Sequence, residues 1–264
     1  MFDFTGRMEA LVEDLVRRLP AFAHVRTDRL LVTVSHARRG GLAGTYARIY
    51  PLRFEGGASR TTRRTRRALE TYEMPPLVHE GREILYIITF LLPRFQNLTF
   101  EAKLATVAHE LYHVGLDCDG DIRRLPGRKF AHGRSREAYD RRMAALAAEY
   151  LSLGGHTAQT AFLRPRWATL VRRFGGVTGR RVAPPLPRLV ATEPLPTMRG
   201  GPARARASAD PSERRPERPW PPTVRPPLPP PGQLVLPFLS SPAATDLTPG
   251  ASQPPRPARR RAGT

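Results

Sequence analysis

Cysteine is almost absent: the 264 residues hold one, Cys118. A lone thiol excludes a disulfide framework within the chain. Lysine is nearly as scarce, at Lys103 and Lys129 only, so the 43 basic residues are almost all arginine. No apolar run approaches the roughly 20 residues of a membrane-spanning helix. The opening MFDFTGRMEALVEDLVRRLP interleaves acids and bases and lacks the continuous apolar stretch of a secretory signal. These absences point to a reducing, cytoplasmic setting with no membrane partner.

What the chain has in excess is positive charge, a formal +20. That charge draws a protein toward polyanions, although much of it also serves as an ordinary solvated surface. Composition changes near Gly175: 22 of the 29 prolines lie from Gly176 onward, among many arginines and few periodic apolar segments. Such a stretch buries too little surface to offset the entropy of ordering it. The expectation is a folded domain over 1–175 and a disordered Pro/Arg-rich tail over 176–264.

Within the domain the pattern is mixed. RMEALVEDLVRRL places Met8, Leu11, Val12, Leu15, Val16 and Leu19 at helical spacing. LLVTVSHA (30–37), GTYARIYPLRF (44–54) and REILYIITFL (82–91) read as strands. RTTRRTRRALE (60–70) is a basic insert, a loop or mobile hairpin. LTFEAKLATVAHELYHVG is the central helix, with Thr99 as cap and Gly115 at its exit. A later helix starts at Ser135, and QTAFLRPRWATLVRRF is helical with a break at Pro165. The fold class expected is α+β, a small mixed sheet of about three strands packed on the central helix with flanking helices.

The central helix carries the chemistry. At about 100° per residue, Leu104, Val107, Ala108, Leu111 and Val114 fall on one side and Thr106, His109, Glu110 and His113 on the other. Histidines four apart sit roughly 5–6 Å apart at Cβ, so both imidazoles can reach one ion at about 2.0–2.1 Å. Glu110 lies beside them, free to take a proton from water held there; this is the H-E-x-x-H pattern. The competing reading is three polar residues on an ordinary helix.

A water-activating zinc usually takes three protein ligands and keeps an open position. Three candidates follow the helix. His132, followed by Gly133 and just ahead of the helix at Ser135, ranks first. Asp119 stands where one elongated variant of the pattern places its last ligand, but Leu116 occupies that variant's glycine position. Glu137 lies 24 residues past His113 on a helix. The aspartates of DCDGD can instead cap the turn, and the run is too short for an EF-hand calcium loop. His24, His36, His79 and His156 fall outside this constellation, and Cys118 reads as a small buried residue.

With those residues in place, the chain resembles the zincin metallopeptidases, and more narrowly the compact metallopeptidases of phage and bacterial genomes. It is also similar to SprT-like proteases, whose H-E-x-x-H is followed by a histidine and a glycine, here His109, Glu110, His113 and His132 with Gly133. The resemblance covers roughly residues 28–145. It departs from SprT-like proteins in the insert CDGDIRRLPGRKFA and in lacking zinc-ribbon cysteines. It implies a minimal zincin-like domain, a Zn2+ cofactor, a protein or peptide substrate, and Glu110 as general base. Tyr139, or else Tyr112, would help hold the oxyanion, although each also reads as a packing residue. By analogy the 82–91 or the 44–54 strand would hold extended substrate.

One tail segment, PPPGQLVLPFLSS, clusters Gln233, Leu234, Leu236 and Phe238 after a proline run. It resembles the bacterial sliding-clamp-binding peptide, which would order in a partner's pocket; the other reading is a chance cluster. The 60–67 arginines and the basic tail would then meet nucleic-acid phosphates. Against the peptidase stands a second class, a nucleic-acid-associated binding protein with a structural or vestigial metal site. A third reading is a phage-derived protein of lysis or virion maturation. Glu110 separates the first two, since a structural site has no use for a base beside an open position.

Overall fold

The computed structural model describes residues 1–37, 44–126, 131–133, 135–155 and 158–195. In chain order these form β1 (Phe2–Asp3), α1 (Phe4–Arg18), β2 (Leu30–His36), β3 (Ala47–Pro51), β4 (Arg60–Arg64), β5 (Ala68–Glu73), β6 (Leu77–His79), β7 (Arg82–Ile84) and β8 (Tyr86–Leu92). Then follow α2 (Phe100–Tyr112), α3 (Arg136–Ser152), α4 (Trp167–Phe174), β9 (Val177–Thr178) and β10 (Arg188–Pro194). Among the described residues no helix is long and apolar enough to cross a membrane.

The central sheet has the order β2-β8-β3, with β8 parallel to β2 and antiparallel to β3. This is the small mixed sheet expected from the sequence. Its centre, YIITFLL, is apolar almost throughout because a middle strand is covered on both faces. Val32, Val34, Ile49, Ile88 and Phe90 face one side, where α1 and α2 contribute Met8, Leu11, Leu15, Leu104, Val107 and Leu111 to the same core. Leu31 and Ile87 face the other side and pack with Leu52, Ile84 and, at their margin, Val182.

Four expectations need correction or completion. First, 82–91 is two strands rather than one. β7 turns back onto β6 through Glu80 and Gly81, both at positive φ (50° and 74°), the backbone that a two-residue hairpin demands. The break falls at Leu85, whose amide donates to the Arg29 carbonyl. Second, the β8 part of that segment is the middle of the sheet, so its backbone is spent on β2 and β3 and cannot hold a substrate strand; β3 lies at the edge. Third, of the loop and hairpin readings of the basic insert the structure shows the hairpin, β4 with β5, and adds what the sequence did not indicate, its extension by β10.

Fourth, the domain does not stop at Gly175. β9 runs parallel to β1, and the Arg180 carbonyl accepts from the Val34 amide along the outer edge of β2. Gly179 passes so close to β2 that a Cβ there would lie 2.7 Å from Val34. The segment then lays Val182 on the second face of the sheet and supplies β10. Proline-rich composition suggested disorder, but backbone pairing and contact with a sheet face already in place order residues 176–195 without a periodic apolar pattern of their own.

Candidate metal centre

Thr99 caps α2 by accepting from the Ala102 amide, and the helix runs on to Tyr112 with His113 as its C-cap. The wheel's apolar side packs on the sheet as expected. Its polar side is not solvent-facing: Thr106, Glu110 and His113 are buried, because α3 and β3 pack against α2. The imidazoles of His109 and His113 lie 4.8 Å apart at their centroids, 71° from coplanar.

The chain leaves α2 by a bridge between Val114 and Ile122 and a bond from the Arg123 amide to the His113 carbonyl. The Tyr86 hydroxyl pins this loop, accepting from Gly120 and donating to the Asp121 carbonyl, both under 3 Å. His132 then returns, with Gly133 at φ 70° and Ser135 capping α3 immediately after. Its Nε2 lies 3.2 Å from His109 Nε2, and its ring centroid lies 5.2 and 5.0 Å from those of His109 and His113. Tyr139, near the start of α3, stacks on His113 at 5.8 Å and meets His109 and His132 at 4.9 Å each. Its hydroxyl donates a long bond, 3.5 Å, to the His109 carbonyl.

The structure thus brings together His109, His113 and His132, with ligand nitrogens all within 4.8 Å of one another. Three nitrogens bound tetrahedrally at 2.0–2.1 Å from one ion would be about 3.4 Å apart, so little movement is needed. His113 Nε2 is buried without a hydrogen-bond partner, a cost of roughly 1–3 kcal/mol that a cation would relieve. Burial, reinforced by the neighbouring imidazoles and by Arg136, pushes His109 well below its usual range. Burial, His132 and Arg123 take His113 down to about 3. Both rings are therefore neutral at ordinary pH, the form that ligates. Three neutral imidazoles without a thiolate suit a divalent transition-metal ion with a position left open.

Glu110 is 1% exposed and its Oε1 has no hydrogen-bond partner. Burial raises its pKa to about 8, against the opposing pull of the Ile49 backbone on β3 and the Arg48 charge. Burial also raises Tyr139, so its hydroxyl stays a donor.

The rival ligands lie elsewhere. Glu137 has a side chain 81% exposed and pairs with Arg141 one turn along α3. Asp119 accepts from the Asp121 amide at 3.0 Å, capping its own turn. The Tyr112 ring is held between the guanidinium groups of Arg123 and Arg142, at 4.1 and 4.8 Å. Cys118 is buried, its sulfur accepting from the Arg26 amide. His24 meets Arg123 at 2.9 Å. His156 and the segment with Gln233, Leu234, Leu236 and Phe238 lie outside the described residues. Sequence reasoning missed the contributions of Arg48, Ile49, Arg123, Arg136 and Tyr86. These approach through distant strands and loops, and no local spacing announces them.

A family model described as "Putative phage metallopeptidase" matches residues 5–139, about half of the chain. No curated protein and no solved structure matches.

Proposed function

The chain belongs to the family described as "Putative phage metallopeptidase", and from that premise we propose that it is a zinc-dependent peptidase of zincin-like build. His109, His113 and His132 hold the ion and Glu110 is the general base. The observation that carries this reading is the pairing of two features. Three imidazole nitrogens converge within 4.8 Å, and a carboxylate on the same helix is buried with an oxygen that bonds to nothing. A purely structural centre explains the first feature and has no use for the second.

Zinc on three imidazoles supplies a Lewis acid that acidifies water and polarises a carbonyl. The residues of the chain do the rest. Glu110 takes a proton from the attacking water and gives it to the leaving amine; a cation held beside it favours the carboxylate form that a base needs. The Tyr139 hydroxyl, spending its proton on a long bond to the His109 carbonyl, can turn to the oxyanion as charge develops there. The β3 edge, whose Ile49 backbone reaches the Glu110 carboxylate, offers its pairing groups to an extended peptide.

The test uses the full-length chain, with zinc content and cleavage of a denatured protein as readouts. Zinc near one per chain is expected in wild type and in Glu110→Gln, with hydrolysis reduced by about 10²–10⁴ in the latter. His132→Ala should lose the ion while Glu137→Ala keeps it. A wild-type chain that takes up no zinc on reconstitution, or a Glu110→Gln variant as active as wild type, would sink the proposal.

A further inference from the structure

The sheet β10-β5-β4 lies outside the chemistry just described, and its charge is unusual. Its rows run across three strands: Arg60 beside Glu73 and Arg188, Thr62 beside Thr71 and Ala191, Arg64 beside Leu69 and Glu193. Partners opposite one another share a face, so Arg60, Thr62 and Arg64 project from one side, and all three are exposed. Four residues along a strand set Arg60 and Arg64 about 13 Å apart. The turn adds Arg66 and Arg67, also exposed.

This is a built element and not a loose basic loop. Thr65 closes the turn, its amide and hydroxyl both bonding to the Ala68 carbonyl and its hydroxyl accepting from the Ala68 amide. The Leu195 amide ties the end of β10 to the Arg67 carbonyl, and the Met74 amide closes the root on the Ser59 carbonyl. Arg60 pairs with Glu73. Arg64, Arg66 and Arg67 have no carboxylate partner among the described residues, so engaging another anion breaks no existing ion pair.

We propose that the β4–β5 hairpin is a nucleic-acid-binding ribbon that docks Arg64, Arg66 and Arg67 on the phosphates of duplex DNA. The β4 side of the face fits a polyanion chemically: guanidinium forks, with the Thr62 and Thr71 hydroxyls between them, while Glu73 is paired with Arg60 and Glu193 lies on β10, two strands from Arg64. It fits in shape at the free edge and turn, since β4 borders the sheet with β10 on the far side and the major groove, about 12 Å wide, admits a two-stranded β-ribbon. The one aromatic residue in the hairpin, Tyr72, pairs with Thr61 and so lies on the opposite face, which leaves the arginine face without the stacking ring that single strands favour. Leu69 is the one large apolar side chain in these rows and is half-buried, too little to seat the face in a membrane. The net +20 of the chain supplies the long-range attraction.

The experiment measures binding of the full-length chain to a random-sequence 20-base-pair duplex across a salt series, because each lost phosphate contact lowers the salt slope by about 0.9. Arg64→Gln/Arg66→Gln/Arg67→Gln should flatten the slope by about 2.7, a roughly 40-fold smaller loss of affinity between about 50 and 200 mM salt. The matching lysine variant should keep the wild-type slope, which separates charge from misfolding. Neutralising Arg259, Arg260 and Arg261 in the same way controls for diffuse attraction and should change the slope less. Equal effects from hairpin and tail variants, an unchanged slope in the hairpin variant, or binding to phosphatidylserine vesicles or an acidic peptide but not to duplex would each overturn the proposal. Tighter binding to single-stranded than to duplex DNA would overturn it as well.

Discussion

Glu110 keeps a carboxyl oxygen buried and unpartnered, at a cost the fold would avoid if the residue served packing alone. Its pKa is raised to about 8 from an ordinary value near 4.5. An acid whose folded pKa is raised contributes stability that is full below its unfolded value and is lost as pH rises through the folded one. Metal-free wild type should therefore lose stability relative to metal-free Glu110→Gln between about pH 4.5 and 8, by on the order of 4 kcal/mol, the opposite contributions of the depressed His109 and His113 being common to both. Urea unfolding in chelator at pH 5 and pH 8 reads the difference directly. With the ion bound the wild-type loss should shrink, because a nearby cation favours the carboxylate. At this scale the sequence was informative: spacing alone assigned His109, Glu110 and His113 to one helix face. It left His132, Asp119 and Glu137 competing, since nothing local says that Glu137 turns outward to Arg141.

The elements around the site depend on a joint between helices far apart in sequence. Asp14 on α1 accepts from the Tyr150 hydroxyl of α3 at 2.6 Å and from Arg18 at 2.9 Å, and it also pairs with Arg17. Burial raises the Asp14 pKa, but these three donors outweigh it and hold the carboxyl below its ordinary range. Stability from a depressed carboxyl is present above about pH 4 and is lost as pH falls through the folded value. Tyr150→Phe should cost about 1.5–3 kcal/mol at pH 7 and reduce the acid sensitivity of wild type below pH 4, as chemical denaturation at pH 7 and pH 3 would show. An unchanged midpoint at pH 7 would mean that Arg17 and Arg18 alone satisfy Asp14. Because α3 carries Tyr139 and follows His132, loosening this joint should also weaken metal retention. The helices themselves were legible from caps and periodicity. The joint was not, because an aspartate at a helical position reads as a solvated residue until a tyrosine from another helix covers it.

For the whole molecule, the segment 176–195 decides how far the domain extends. It covers the β2 edge, ties Arg180 to Glu9, lays Val182 on the second face of the sheet and adds β10 to the hairpin. A chain ending at residue 175 should be less stable than one ending at residue 195 by at least about 2 kcal/mol, from lost apolar cover and edge pairing. It should also aggregate more readily through the bared β2 edge. Thermal melts with light scattering compare the two, and equal midpoints would show that residues 176–195 only decorate a domain already complete at Gly175.

Local signals that repeat along the chain were readable without a structure. The mixed sheet followed from three apolar runs, α2 from its cap and period, the two α2 histidines from four-residue spacing, and the basic character of 60–67 from composition. Each depends on neighbours within one or two turns or strands. What the tertiary structure decided depends on partners distant in sequence. It brought His132 rather than Glu137 beside His109 and His113, set β8 in the middle and β3 at the edge, buried the polar side of α2 beneath α3, and ordered 176–195 against a surface built by other residues. Backbone pairing and burial against a distant element leave no mark in the pattern of the segment they fix, so composition at 176–195 pointed to disorder where contact gave strands.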